Sequence, residues 1–428
     1  MLQKKYKVYG FFLMVLLAYC IYYIFYAPPS RNEQWMRDLE YVHDQLIEKH
    51  ANVFHTISNE VYDQKFNDLI QQIPRLTDEQ ITIKLAQIVA KIGDSHTYLH
   101  VKESLKYPIE FNISGKEVYV EWVEAYNKEV LGLRLIAING IPLQNISSKI
   151  ETLVSAENNQ WKALKAAQLL NQPKILRYFN FVNTDYVQYT LVDNNNHRRL
   201  LTLKAKESSE MAHISDVMEK KLLQFEKIHA SIYESVYWYK YIESDKMLYF
   251  KYDECIDSEV AKDYRMIDYN QYPSFQNFTD KMMGDINRFK PKKIVIDLRK
   301  NRGGAPKLMR NWISQYKYSI ADYPKIQLYV LIGTETYSSG VMACLDLKEE
   351  TNSIFIGQPT GGNVNAYANV KRIQLPYARN YCYFSTQYYQ LNDYYDEGFL
   401  PDVFIEEDIQ QLFQMDKAFN YTKINNGD

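Results

Sequence analysis

Apolar residues in the first hundred positions recur at helical spacing. Met36, Leu39, Val42, Leu46 and Ile47 form one stripe over 32–50. Tyr62, Phe66, Leu69, Ile70 and Ile73 form a second, with Ser58 placed as its cap. Thr77-Asp78-Glu79-Gln80 reads as a capping box for a third helix, with Ile81, Leu85, Ile88, Val89 and Ile92 inward and Gly93 as its stop. The period then changes to two: residues 107–113, 117–123, 131–138 and 186–192 alternate as strands. Asn139-Gly140 turns the third of these, and a helix is expected over 146–153. Residues 206–240 are charged and helical in pattern, as a connector would be. Beyond them the two periods alternate. Strands are expected at 247–252, 294–297, 326–332, 354–356 and 373–375, and helices at 275–289, 305–316 and 341–347. This alternation predicts an α/β layered domain.

The amino terminus follows neither pattern. Lys4, Lys5 and Lys7 precede an uncharged run over 8–30, almost wholly apolar or aromatic from Phe11 to Tyr26. A span needs about 20 residues, so this run predicts one transmembrane helix with its amino end inside. No small-x-small site precedes Pro28-Pro29, which favours an uncleaved signal anchor over a cleaved signal peptide. Tyr19 before Cys20 is too large for lipoprotein processing. The expectation is a single-pass cell-membrane protein with the rest of the chain outside the cytoplasm.

Composition changes this picture little. The chain has 428 residues, 46% hydrophobic and 24% charged, enough for two or three domains. A net charge of −2 gives no footprint for nucleic acid. Outside the anchor, Cys255, Cys344 and Cys382 are too far apart in sequence for a disulfide framework or a metal motif; one pair stays open for an exported protein. No histidine pair forms an HExxH motif, and neither metal nor organic cofactor is expected.

The candidate chemistry centres on Tyr337-Ser338-Ser339-Gly340, between a predicted strand and a predicted helix. A serine there either caps the helix or stands as a nucleophile where free N–H groups favour negative charge. Asp297-Leu298-Arg299-Lys300-Asn301-Arg302-Gly303-Gly304 joins another buried strand to a helix. Its glycines allow backbone N–H groups to approach a ligand, as an oxyanion hole requires, or simply make a tight turn. It is neither GxGxxG nor a P-loop. Of the histidines, His96 alone sits in a polar loop between a long helix and a strand-like run.

In this order, GDSHT at 93–97, DLRKNRGG at 297–304, TYSSG at 336–340, GQPTGG at 357–362 and EGFLPD at 397–402 resemble the S41 family of serine peptidases. These are the C-terminal processing and tail-specific proteases, with the tricorn core protease as a relative. The resemblance runs from residue 32 to about 410. It implies an α/β (α+β) multidomain chain with a helical subdomain at 31–100, a PDZ-like module at 101–205 and a crotonase-like α/β core at 246–428. The apolar run and the charged helical pattern add an anchor at 1–30 and a helical connector at 206–245. The Leu135–Leu143 stretch also resembles the turn of PDZ domains, which bind peptide termini by adding a strand.

The resemblance implies that Ser338 is the nucleophile. The N–H groups of Ser339 and of Gly303 or Gly304 would form the oxyanion hole. One branch of the family places a lysine base after Gly-Gly; here Gly361-Gly362 is followed by Asn363, and that base is missing. The tricorn-like branch uses histidine, and Ser95-His96 and Glu397 match it. His96 would take the Ser338 proton, and Glu397 would orient the imidazole through Ser95, with Asp393 and Asp396 as neighbouring alternatives. The expected function is a membrane-anchored, extracytoplasmic serine endopeptidase acting on polypeptide. The rival is a catalytically silent S41-like protein that binds peptide or another ligand, in which the His96 ring stands out of hydrogen-bond reach of Ser338. An esterase on the same machinery is a third reading; the chain lacks the GxSxG of the α/β-hydrolases.

Overall fold

A computed structural model describes residues 28–207, 236–320, 326–393, 397–406 and 416–424, together with Met14 and Leu17. The three amphipathic stripes form α1 (Arg31–Lys49), α2 (Asn59–Gln72) and α3 (Asp78–Ala90). Ser30 and Thr77 close capping boxes on α1 and α3, and the Ser58 hydroxyl accepts from the Val61 N–H on α2. Trp35, Leu39, Tyr62, Phe66, Ile81 and Leu85 meet in one core.

The chain continues through β1 (Tyr98–Leu99) and β2 (Leu105–Lys106) into an antiparallel module. Its strands are β3 (Ile109–Ser114), β4 (Glu117–Val123), β5 (Arg134–Ile138), β6 (Ile141–Pro142), β7 (Tyr186–Val192) and β8 (Arg198–Lys204). They run in the order β3-β4-β5-β7-β8, with β6 folded back on β5. Asn139 and Gly140 both have positive φ, as a two-residue Asn-Gly turn requires. Helices α4 (Leu143–Ile150), α5 (Asn159–Gln168) and α6 (Pro173–Tyr178) fill the space between β6 and β7 in sequence. Strand β9 (Lys206–Glu207) returns to pair with β2.

The remainder is layered. Strands β10 (Tyr237–Ile242) and β11 (Met247–Tyr252) are followed by α7 (Ser258–Asp263), α8 (Phe275–Phe289), β12 (Lys293–Asp297), α9 (Lys307–Ile320), β13 (Gln327–Ile332), α10 (Ser339–Glu350) and β14 (Ile354–Gly357). Strands β15 (Ala366–Gln374), β16 (Tyr381–Tyr389) and β17 (Val403–Phe404) and helix α11 (Lys417–Ile424) complete it. One sheet runs β10-β11-β12-β13-β14-β17, parallel except for β10. Its strands are buried on both faces, so they read as unbroken apolar runs. Leu248, Ile294, Ile296, Leu328 and Val330 pack with α8, α9 and α10 residues, while Tyr249, Val295, Tyr329 and Leu331 pack with Phe419 of α11.

Three expectations need correction. Residues 237–242 are strand, antiparallel to β11, and not the end of a helical connector; the run of aromatic residues there favours the pleated sheet. Residues 208–235 lie outside the described residues. The short strand expected at 373–375 is the end of a long hairpin, β15–β16, which adds to β1 and gives Ile373, Leu375, Cys382 and Phe384 to the core of α1–α3. Exposed Lys371 and Arg372 hid its alternation. The expectation of a membrane anchor with an extracytoplasmic catalytic part is also overturned. Among the described residues no helix is long and apolar enough to cross a membrane. The stretch read as that anchor lies outside the described residues, apart from Met14 and Leu17 and the residues from Pro28 on.

Charge is buried at the end of β12. Arg299 donates from Nε to Asp297 Oδ1 at 3.0 Å and from Nη2 to Asp416 Oδ2 at 2.8 Å, and the Tyr249 hydroxyl donates to Asp297. Burial opposes the Asp297 charge, but Arg299 beside it prevails and holds the carboxyl down at about 2. Its folded pKa is depressed, so its stabilisation is present above the ordinary value and lost as pH falls from about 4. Arg299→Met leaves two carboxylates without their cation and is expected to cost roughly 3–5 kcal/mol in urea unfolding at pH 7. A cost below about 1 kcal/mol, the range of an exposed pair, would remove this account.

Candidate active site

The turn between β13 and α10 is braced from several sides. The Thr336 hydroxyl donates to the Leu298 carbonyl at 2.8 Å, and the Tyr337 N–H donates to the Asn301 carbonyl at 2.9 Å. Fully buried Asn301 in turn donates to the Tyr252 carbonyl and accepts from the Gly303 N–H. These bonds hold Ser338 at φ 53 and ψ −123, a conformation that costs a non-glycine residue roughly 1–3 kcal/mol. Ser338 occupies the N-cap of α10 yet makes no capping bond. Its hydroxyl faces His96 instead, with Nε2 at 3.2 Å from Oγ.

The adjoining glycine turn lies directly against this serine. A Cβ on Gly303 would sit 2.7 Å from the Ser338 Cβ and 2.9 Å from the Ser339 nitrogen. The Gly303 N–H is committed to Asn301 Oδ1 at 3.0 Å. Among the described residues no hydrogen bond uses the N–H groups of Gly304 or Ser339, whereas the Ser339 hydroxyl donates to the Gly304 carbonyl at 2.6 Å. Of the donors expected for an oxyanion hole, these two remain available. Lys300 pairs with Glu121 of β4 at 3.0 Å, and Arg302 pairs with buried Glu335, which also accepts from Asn112 of β3. The turn is thereby tied to the antiparallel module.

His96 stands between two elements remote from it in sequence. Asp94, fully buried, accepts from the His96 backbone N–H at 2.9 Å, is bonded by His50 Nε2 at 3.0 Å and accepts from the Thr97 hydroxyl. Burial lowers the His96 pKa, opposed by the Asp94 charge. The ring is therefore neutral, the form a base needs. Its Nδ1 lies 2.8 Å from the Tyr337 hydroxyl, which lies 2.6 Å from Ser95 Oγ. Tyr337 stacks on His96 on one side and on Trp161 on the other, with centroids 3.9 Å apart and rings 6° from parallel in the second pair.

The expected acid is elsewhere. Glu397 is exposed beside Gly398, its backbone carbonyl accepts from the Val364 N–H, and no bond from its carboxylate to His96 or Ser95 is present among the described residues. Asp393 is exposed and accepts from Gln390; Asp396 lies outside the described residues. Glu157, from the loop before α5, comes close instead. It brings a carboxylate oxygen within 4.8 Å of ligand-type atoms of both Asp94 and His96. Both ring nitrogens of His96 face hydroxyls, and the Tyr367 carbonyl beside the ring favours its protonated form, so this grouping reads as part of a hydrogen-bonded chain and not as a cation site. Burial raises the Glu157 pKa to about 7, with a further push from the Asp94 charge, while the Ser95 hydroxyl and N–H oppose the shift. One lone acid in a capping loop carries no sequence signal. Tyr337 did carry one, its place beside the nucleophile candidate. Cys255, Cys344 and Cys382 are free, buried thiols.

No protein-family model matches the chain, and no curated protein matches it in sequence. Solved structures do. Mature CPAF complexed with lactacystin superposes with a TM-score of 0.63 at 11% identity, over 92% of this chain and 97% of that one. Mature CPAF alone gives 0.62 at 11% identity, over 92% and 96%. The photosystem II D1 C-terminal processing protease gives 0.41 at 12% identity over 91% and 99%, a score too low to argue from. The likeness to mature CPAF is one of fold, over nearly the whole of both chains.

Proposed function

We propose that this chain is a serine endopeptidase that opens peptide bonds through an acyl-enzyme on Ser338, with His96 as base. The observation that carries the reading is the 3.2 Å approach of His96 Nε2 to a Ser338 hydroxyl that caps nothing. His96 would take the hydroxyl proton as Oγ attacks the carbonyl carbon, then return it to the leaving amine. The N–H groups of Ser339 and Gly304 would receive the charge that forms on the carbonyl oxygen. The start of α10 adds its dipole to the same place. In the silent-binder reading the ring and the hydroxyl stand apart, so their proximity favours catalysis. The finer architecture belongs to the same reading: a crotonase-like core holding the nucleophile and a PDZ-like module, β3–β8 with its Asn-Gly turn, presenting polypeptide to it.

The test is labelling of the full chain with a fluorophosphonate. Wild type and Ser339→Ala are expected to label and Ser338→Ala is not. Loss only in Ser339→Ala moves the nucleophile by one residue. No labelling of a folded wild type rejects the peptidase reading in favour of a binding protein.

A further inference from the structure

Sequence motifs supplied an acid for this site at Glu397, and the structure places another near the ring. A hydrogen-bonded chain runs from Ser338 through His96 and Tyr337 to Ser95. Beyond it lies Glu157, whose charged form the Ser95 hydroxyl and N–H favour, whose carboxylate lies within 4.8 Å of His96, and whose Oε1 is buried without a hydrogen-bond partner. Four groups in this line, Ser338, His96, Tyr337 and Ser95, are hydroxyl or imidazole groups that can each donate or accept. Something must set their direction.

A base at His96 needs Nε2 free, so its single proton must sit on Nδ1. Nδ1–H then donates to the Tyr337 oxygen. Tyr337 stays protonated, since burial and the Glu157 charge raise its pKa well above the ordinary value. Its own proton must therefore go to Ser95 Oγ, and the Ser95 proton must go onward to an acceptor. An ionised carboxylate is acceptor-only and satisfies that requirement.

We propose that Glu157 is the positioning residue of this site: acting through Ser95 and Tyr337, its carboxylate fixes the proton of His96 on Nδ1 and so keeps Nε2 ready for Ser338. The proposal rests on the peptidase reading for its kinetic consequence but not for the tautomer itself. When Glu157 takes a proton from solvent it becomes able to donate. Ser95 and Tyr337 can then turn their hydroxyls the other way, Tyr337 donates to Nδ1, and the ring carries its one proton on Nε2. The ring gains no proton; it holds the same one on the wrong nitrogen. Rate is thus expected to rise with pH near 7, where Glu157 ionises. The sign follows from a raised carboxyl pKa: below about 7 the group is neutral and the constraint is absent.

The other titratable groups facing this chain are accounted for. Asp94 is held low by His50 and His96 against its burial and stays charged through this range. His96 itself titrates below its ordinary value, so it gives a separate, lower step. Tyr98, which adds to the Tyr337 shift, is itself pushed upward by burial and stays neutral. His50 is bonded to Asp94 at 3.0 Å.

The experiment uses the full chain carrying ring-15N histidine, with the His96 signal assigned by its loss in His96→Gln. Tautomer is read from the ring nitrogen shifts between pH 5.5 and 9, and fluorophosphonate labelling rates are taken over the same range. The expected result is an Nε2-protonated ring below the step and an Nδ1-protonated ring above it. Glu157→Gln should abolish this exchange and lower the labelling rate at pH 8.5 by roughly 10- to 100-fold, a part of the usual general-base effect. Glu397→Gln should keep both. Tyr337→Phe, which breaks the chain without touching Glu157, should resemble Glu157→Gln and serves if the latter fails to fold. A Glu157→Gln protein with the wild-type tautomer change, or loss of that change in Glu397→Gln alone, overturns the proposal. A wild type that never labels but still shows the exchange rejects the peptidase and leaves the tautomer assignment standing.

Discussion

Ser338→Ala, His96→Ala and the double variant are expected to lose hydrolysis of fluorescein-labelled casein by nearly the same factor, on the order of 10⁴–10⁶-fold each. The two side chains make one 3.2 Å contact across two loops and act on one proton. Removing either leaves the other without a task, so the losses do not add. Folding is expected to survive. Ser338 makes no capping bond whose loss would weaken α10, and Ala retains the same strained φ. Thermal melting of the three variants beside wild type checks this. If His96→Ala stays within about 10-fold of wild type while Ser338→Ala is dead, the base lies elsewhere.

Gly304→Ala is expected to remove roughly 10²–10³-fold of the rate, the usual cost of one oxyanion donor. Gly304 has φ +130, where an L side chain is strained, and a Cβ there would lie 2.3 Å from the Cys255 carbonyl oxygen. That oxygen is fixed, because it accepts from the Ala305 N–H at 2.7 Å. The turn must therefore shift, and the Gly304 N–H shifts with it. The loss should fall on kcat and spare KM, since the donor acts on charge absent from the ground state. A variant that raises KM alone would place the Gly304 N–H outside the reacting centre.

Local sequence carried the helices of the first hundred residues because each brings its own cap and stripe, as Thr77 and Gln80 do for α3. Short motifs also mark Ser338 and His96, which fold to within 3.2 Å of each other. The nearby carboxylates are less legible. Glu397 lies in a motif yet is exposed, whereas Glu157 lies in none and reaches the ring only through the packing of α5 beneath the turn, where Trp161 stacks on Tyr337. The β15–β16 hairpin was missed for a related reason: its buried face is completed by helices from the first hundred residues, as with Tyr377, whose N–H donates to Asp38 across 339 positions. Period and propensity report neighbours along the chain. They are silent on partners that only the folded chain supplies.

His96 and Ser338 are separated by 242 positions, and the bond between them spans two separately packed cores. On the peptidase reading, one of those cores carries the nucleophile, another the base, and the module with Glu157 the positioning acid. During synthesis the base would then emerge long before the nucleophile. A half-made chain, or one cut between its cores and separated, would have no means of attacking its neighbours. Long-range assembly would thus act as a safety catch, released only when the turn carrying Ser338 has docked beside His96.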